Sequence, residues 1–160
     1  MFILCSIDGM RPDGLVQAET PNIDRLIVSG SSSLTARTVL PCCTLPCHTS
    51  MHRGVPPERH GITTNVFTPL VRPVPSLFDH AKSNGRRTAF FFNWAQLRDL
   101  AEPDSVDTSI LLNNTHKSTC DDEVADSAIK HLRAEPADIV FLYLGGTDSR
   151  GHEHGWMSDP

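Results

Sequence analysis

An α/β fold, with a mostly parallel sheet between two layers of helices, follows from three features of the sequence. Short apolar runs of strand length alternate with stretches of helical periodicity. Glycine, proline and threonine punctuate the joins. Polar residues capable of chemistry sit just after apolar runs, where an open parallel sheet gathers its ligands. A chain of 160 residues is long enough for one domain with a proper core. Residues 1–160 are therefore read as part or all of a single domain.

Phe2 to Ile7 is a short apolar run that ends at Asp8-Gly9, as a buried strand would. Met10 to Glu19 has the character of a loop. Thr20 and Pro21 then supply an N-cap and a first helical residue, Ile23, Leu26 and Ile27 an apolar face, and Gly30 a stop. Ser33 to Leu40 fits a second strand that delivers the chain to a turn at Thr44. A helix from about Pro46 to His52 follows. Gly54, Pro56-Pro57 and His60-Gly61 punctuate a loop that runs through Asn65. Pro75 to Asn84 is helical, with Leu77, Phe78 and Ala81 inward and Gly85 closing it. Arg87 to Phe92 is a buried strand, Trp94 to Leu100 a short helix, and Val106 to Leu112 a weaker strand. Asp121 to Ala134 carries Val124, Ala128, Ile129 and Leu132 at helical spacing. Asp138 to Leu144 is the clearest buried strand and ends at Gly145-Gly146-Thr147-Asp148.

Composition narrows the function. A net charge of −5 argues against an electrostatic grip on a nucleic-acid polymer. A small anionic substrate remains compatible, because a bound metal reverses local charge. Five cysteines is an odd number, and Cys42, Cys43 and Cys47 lie too close together for a disulfide framework. They are expected to be reduced, buried structural thiols in a cytoplasmic setting. The start, Met1-Phe2-Ile3-Leu4, shows no basic leader region, and no apolar run is long enough to span a membrane.

The chemistry concentrates at three places. Asp8 follows the first strand, Thr44 the second, and Asp148 with His152 the last. Taken singly, each has an ordinary explanation: a turn aspartate, an N-cap threonine, a surface ion pair. Together, carboxylate oxygen and imidazole nitrogen suit a divalent metal. A threonine hydroxyl is a poor nucleophile unless such a metal favours its alkoxide. Thr44 would also lie at a helix N-terminus, where unpaired N–H groups suit an anionic phosphoryl group.

Four motifs resemble the alkaline phosphatase superfamily, in its nucleotide pyrophosphatase/phosphodiesterase branch. Ser6-Ile7-Asp8-Gly9-Met10-Arg11 is similar to the opening metal motif. Thr44-Leu45-Pro46-Cys47-His48 resembles the nucleophile turn Thr-Phe-Pro-Asn-His, with Cys47 where the branch has asparagine. Glu58-Arg59-His60-Gly61-Ile62, followed by Asn65, resembles Glu-Ser-His-Gly-Ile and its later asparagine. Asp148-Ser149-Arg150-Gly151-His152 resembles Asp-Ser-x-Gly-His. The matches fall in the family's order at similar spacing.

The resemblance implies a three-layer α/β/α sandwich of alkaline phosphatase type, incomplete at its C-terminus. It also implies a hydrolase of phosphodiester or nucleotide pyrophosphate bonds. Thr44 would be the nucleophile, and Asn65 a donor to a phosphoryl oxygen. Asp8 and Thr44 would approach one of two divalent ions, Asp148 and His152 the other. Zinc is the first expectation, and manganese or iron suit the same donors. The family completes its sites with a later Asp-His pair and a further histidine, which nothing after His154 supplies. The chain is therefore expected to be the N-terminal part of a longer enzyme. Its partner is expected to be a small phosphorylated substrate, with neither nucleic-acid polymer nor membrane, and self-association is open. A phosphomutase or phosphonate hydrolase on the same scaffold is the alternative, as is an inactive folded fragment. The turn lacks the Cys-x-Pro-x-Arg of a sulfatase.

Overall fold

The computed structural model describes residues 1–70 and 73–158. Of the expected domain, residues 71, 72, 159 and 160 lie outside the described residues. Four strands form one parallel sheet: β1 (Phe2–Ile7), β2 (Thr88–Phe92), β3 (Thr108–Leu111) and β4 (Ile139–Leu144). Their order is β1-β4-β2-β3. The last strand thus inserts between the first and second. Its register on β1 runs from Phe2 opposite Ile139 to Ile7 opposite Leu144. Asp8 and the segment after Leu144 therefore leave the sheet side by side.

The strand sequences explain the layers. All five residues of β2 are buried, and alternate ones face opposite sides. Phe90 and Phe92 join Phe141, Tyr143, Leu45, Ile62, Phe78, Leu97 and Leu100 in one core cluster. Ala89 and Phe91 join Val140, Val124, Ala128 and Ala137 in the other. The first cluster lies under α3 (Thr44–Arg53), α4 (Pro57–His60), α5 (Leu77–Ser83) and a 3₁₀ helix at Ala95–Leu100. The second lies under α6 (Cys120–Ala134). Helices on both faces make the expected three layers.

Most predicted elements are present with shifted ends. α5 starts on a capping box: the Ser76 hydroxyl accepts from the Asp79 amide, and the Asp79 carboxylate accepts from the Ser76 amide. Three expectations fail. Ser33 to Leu40 forms no strand; it is irregular and almost wholly exposed. Leu34 and Ala36 alternate with polar residues, but the alternation breaks at Arg37-Thr38 and no strand of the described sheet pairs with the segment. The loop expected over Met10 to Glu19 contains α1 (Pro12–Gln17), started by a proline at its first position. The loop through Asn65 contains the single turn α4. The segment after β4, to which the sequence assigned no element, is α7 (Gly146–His154).

α2 (Pro21–Ser29) forms where predicted, yet buries none of its residues. Leu26 and Val28 are exposed, as are Phe2 and Ile3 on the edge strand β1. No helix among the described residues is long and apolar enough to cross a membrane.

Candidate active site

The site is assembled at the carboxyl ends of β1 and β4 and at the start of α3. Asp8 continues the β1–β4 ladder by donating its amide to the Leu144 carbonyl at 3.0 Å. Its carboxylate is held at both oxygens: Oδ1 accepts from the Gly9 amide at 3.0 Å, and Oδ2 from the Tyr143 hydroxyl at 2.8 Å. Burial and the charge of Asp8 push the Tyr143 phenol far up, so it stays a donor. Gly9 turns the chain at φ +70°, and a Cβ there would lie 2.6 Å from the Asp148 Cα. Glycine is thus what lets the end of β1 touch the first turn of α7.

α7 carries both Asp148 and His152, four residues apart and hence on one helical face. Asp148 Oδ1 lies 3.6 Å from His152 Nε2. The start of α7 is fixed by side chains from other elements. Asn93 Oδ1 accepts from the Gly145 amide at 3.0 Å, and the Asp121 carboxylate accepts from the Gly146 amide at 3.0 and 3.1 Å. The Asn93 amide in turn donates to Asp121 at 2.8 Å. Side chains at Gly145 or Gly146 would collide with these same partners.

Thr44 is the first residue of α3, two residues earlier than the expected helix start, and Cys43 is the N-cap. The expected reserve of free N–H groups is small. The Leu45 amide donates to Asn65 Oδ1 at 2.9 Å, and Pro46 has no N–H. The Thr44 amide is what remains of the first turn for an anion. With its oxygen engaged, the Asn65 side chain has its NH₂ left to donate.

His48 ties this turn to the sheet. Its Nδ1 donates to the Thr44 carbonyl at 2.8 Å, which leaves Nε2 to accept from the Ser6 hydroxyl at 2.9 Å. Burial keeps its pKa low and hence the ring neutral. His60 packs likewise: Nδ1 accepts from the Ile62 amide and Nε2 donates to Ser50. Both histidines spend their ring nitrogens on hydrogen bonds within the fold.

An open cavity of about 520 Å³ is lined by Thr44, Asn65, Asp148 and His152, with Trp94, Tyr143 and Arg150. A broader adjoining one of about 1010 Å³ is lined by the same four residues, with Asp8. The structure thus brings all five predicted site residues to one place. Cys42 and Cys43 are exposed and Cys47 half-buried, so the expectation of buried thiols at this turn is wrong. The turn is fed by an irregular exposed segment, not by a strand, so it has no outer layer to bury them. All five cysteines are unpaired.

The donors fit a divalent cation in kind. Burial, and then the charge of Asp8, push the Asp148 carboxyl up, while His152 opposes the shift. Two carboxylates forced together this way are relieved by a cation between them. In number the donors fall short: among the described residues no group of three histidine, cysteine, aspartate or glutamate side chains could hold a metal.

Sequence reasoning missed Tyr143, Asn93, Asp121 and Gly9. Asn93 and Gly9 had a visible signal, since each stands at the carboxyl end of a strand. Asp121 had none, because it reaches α7 from the start of α6.

A parallel three-layer sheet with carboxylates, an imidazole and a hydroxyl at its carboxyl edge defines the alkaline phosphatase-like class of α/β proteins. The sequence model for type I phosphodiesterase / nucleotide pyrophosphatase matches residues 2–160, and the chain belongs to that family. It is 27% identical to rat ectonucleotide pyrophosphatase/phosphodiesterase family member 7, over 96% of this chain and 40% of the relative. It is 28% identical to bovine family member 3, over 98% of this chain and 20% of the relative. The fold matches murine ectonucleotide pyrophosphatase/phosphodiesterase 5 with a TM-score of 0.76 at 23% identity, over 98% of this chain and 46% of that one. An inactive threonine-to-alanine variant of that murine protein, in complex with AMP, matches equally well. The chain spans less than half the length of these relatives.

Proposed function

We propose that this chain supplies the nucleophile half of a phosphodiester or nucleotide pyrophosphate hydrolase. The observation that carries the reading is the convergence of Thr44, Asn65, Asp8, Asp148 and His152 on one open site. The cavity of about 520 Å³ suits a small phosphorylated substrate. The murine relative's complex with AMP, and its inactivation by a threonine-to-alanine change, support both the substrate class and the residue type.

Thr44 Oγ1 attacks phosphorus in line with the leaving group. The bond to the leaving oxygen breaks and a phosphothreonine forms, which water then hydrolyses. Negative charge on the non-bridging oxygens meets the Thr44 amide and the Asn65 NH₂. These donors stand in place before the reaction, so little reorganisation is needed as charge builds. The Asn65 to Leu45 bond and the His48 clamp keep the turn from moving during attack. Tyr143 and Gly9 hold the Asp8 carboxylate in one orientation.

Asp8 and Thr44 would hold one divalent ion and Asp148 with His152 a second, zinc being the foremost candidate. When bound, such ions favour the threonine alkoxide and neutralise phosphoryl charge. Each ion would need further ligands, because among the described residues no third such side chain joins either pair.

A Thr44→Ala variant tests the reading in the longest form of the protein. Hydrolysis of a nucleotide phosphodiester should fall to background. Full turnover by the variant would refute it.

A further inference from the structure

Three thiols flank Thr44, and the chemistry proposed above uses none of them. Cys43 is the N-cap of α3, with extended backbone (φ −91°, ψ 155°). Cys42 therefore occupies the position before the cap, and Cys47 the fourth helical position. Side chains at these two positions meet across the first turn of a helix, as in a hydrophobic staple. The turn is closed by the Cys47 amide, which donates to the Cys43 carbonyl at 3.0 Å. Cys42 and Cys47 line the same cavity as Thr44. Cys42 is exposed, whereas Cys47 is half-buried and accepts a hydrogen bond from the Thr38 hydroxyl at 2.8 Å. Cys5 and Cys120 belong to β1 and α6, away from the turn.

We propose that Cys42 and Cys47 form an oxidative modification site, in which a peroxide joins them in a disulfide that closes a ring around Thr44. Cys42 meets the oxidant first because it is exposed. Hydrogen peroxide transfers one oxygen to its sulfur, giving a sulfenic acid and one water. The Cys47 sulfur then attacks the Cys42 sulfur. The S–S bond forms, the S–O bond breaks, and the departing hydroxide leaves with the Cys47 proton as a second water. Two thiols lose two electrons and two protons, and the peroxide accepts both. Disulfide formation does not depend on Thr44 being the nucleophile. A failed Thr44→Ala test would leave it standing.

Peptide mapping tests the pairing. Trypsin cleavage after Arg37 and Arg53 places all three cysteines of the turn in one peptide, Thr38 to Arg53. The folded chain is treated with hydrogen peroxide, blocked with N-ethylmaleimide and digested without reduction. The expected peptide is lighter by two hydrogens and carries a single maleimide, on Cys43. Dithiothreitol before blocking should restore three maleimides. A Cys43→Ser variant should still form the bridge, which guards against a pairing through the cap residue. A maleimide found on Cys42 or Cys47 in the oxidised wild type would overturn the proposal. Irreversible addition of oxygen without a bridge would overturn it as well.

Discussion

Asn65 is where single atoms separate two roles. Its amide oxygen accepts from the Leu45 amide, which leaves its NH₂ to donate in the cavity that Asn65 lines. Asn65→Asp keeps the acceptor and removes the donor. The account predicts that kcat falls by roughly 10²–10³, the usual cost of one transition-state donor, while the melting temperature moves little. Equal losses of stability and turnover would assign Asn65 to the fold alone. His52 is a second such case. It is 3% exposed, packs edge-on against Phe141 at 4.4 Å, and neither ring nitrogen has a partner among the described residues. Burial, helped by His48 and Arg53, pushes its pKa from 6.5 down to about 3. The unfolded chain takes up a proton near pH 6.5 that the folded chain refuses until about pH 3. Its contribution is therefore complete above pH 6.5 and is lost as the pH falls toward 3. His52→Phe should remove that loss. Denaturant titrations should show the variant gaining about 2 kcal/mol on wild type between about pH 6.5 and 5. Nothing in the sequence marked His52 as buried, because its apolar neighbours come from β2, β4 and α5.

At the scale of elements, the contact between the end of β1 and the start of α7 sets the spacing of the two predicted metal pairs. Gly9 and Gly54 have similar backbones, at φ +70° and +65°, but only Gly9 has a neighbour where a Cβ would go. Gly54→Ala should cost about 1 kcal/mol for the left-handed conformation alone. Gly9→Ala should cost about 2–3 kcal/mol, because the Asp148 backbone must also move, and should weaken zinc binding measured by calorimetry. Equal costs for the two would show that the close approach is not needed. α5 offers a cleaner element test: Ser76→Ala removes a capping box and should lower unfolding free energy by about 1 kcal/mol. The helices were legible where the apolar spacing is clear, as in α6, or where a glycine closes it, as at Gly85 after α5. α7 was not, since Gly146-Thr147-Asp148-Ser149-Arg150-Gly151 has weak helix formers. It is held instead by Asn93 and Asp121, tertiary partners that no local pattern announces.

Across the whole molecule, the apolar runs at Thr88–Phe92 and Ile139–Leu144 read directly as strands, because strands buried in a parallel sheet need continuous hydrophobicity, whereas Phe2–Ile7 reads as a strand but lies at the sheet edge with none of its residues buried, against expectation. Their order was not legible. Nothing local says that β4 inserts beside β1, yet that insertion is what brings Asp8 next to Asp148. The failed strand at Ser33 to Leu40 teaches the same point from the other side, since propensity without a neighbouring strand yields an exposed loop. That the five candidate residues would meet in one place was legible because their spacing follows a family pattern. The residues that hold them in place were not, because their contacts are long-range. The central claim is that Thr44 carries the phosphoryl group. Acid quench during turnover of a nucleotide phosphodiester labelled at phosphorus, followed by peptide mapping, tests it most directly. The account predicts label on Thr44 in the peptide Thr38 to Arg53, absent from Thr44→Ala. Label on another residue, or turnover undiminished in Thr44→Ala, would contradict it.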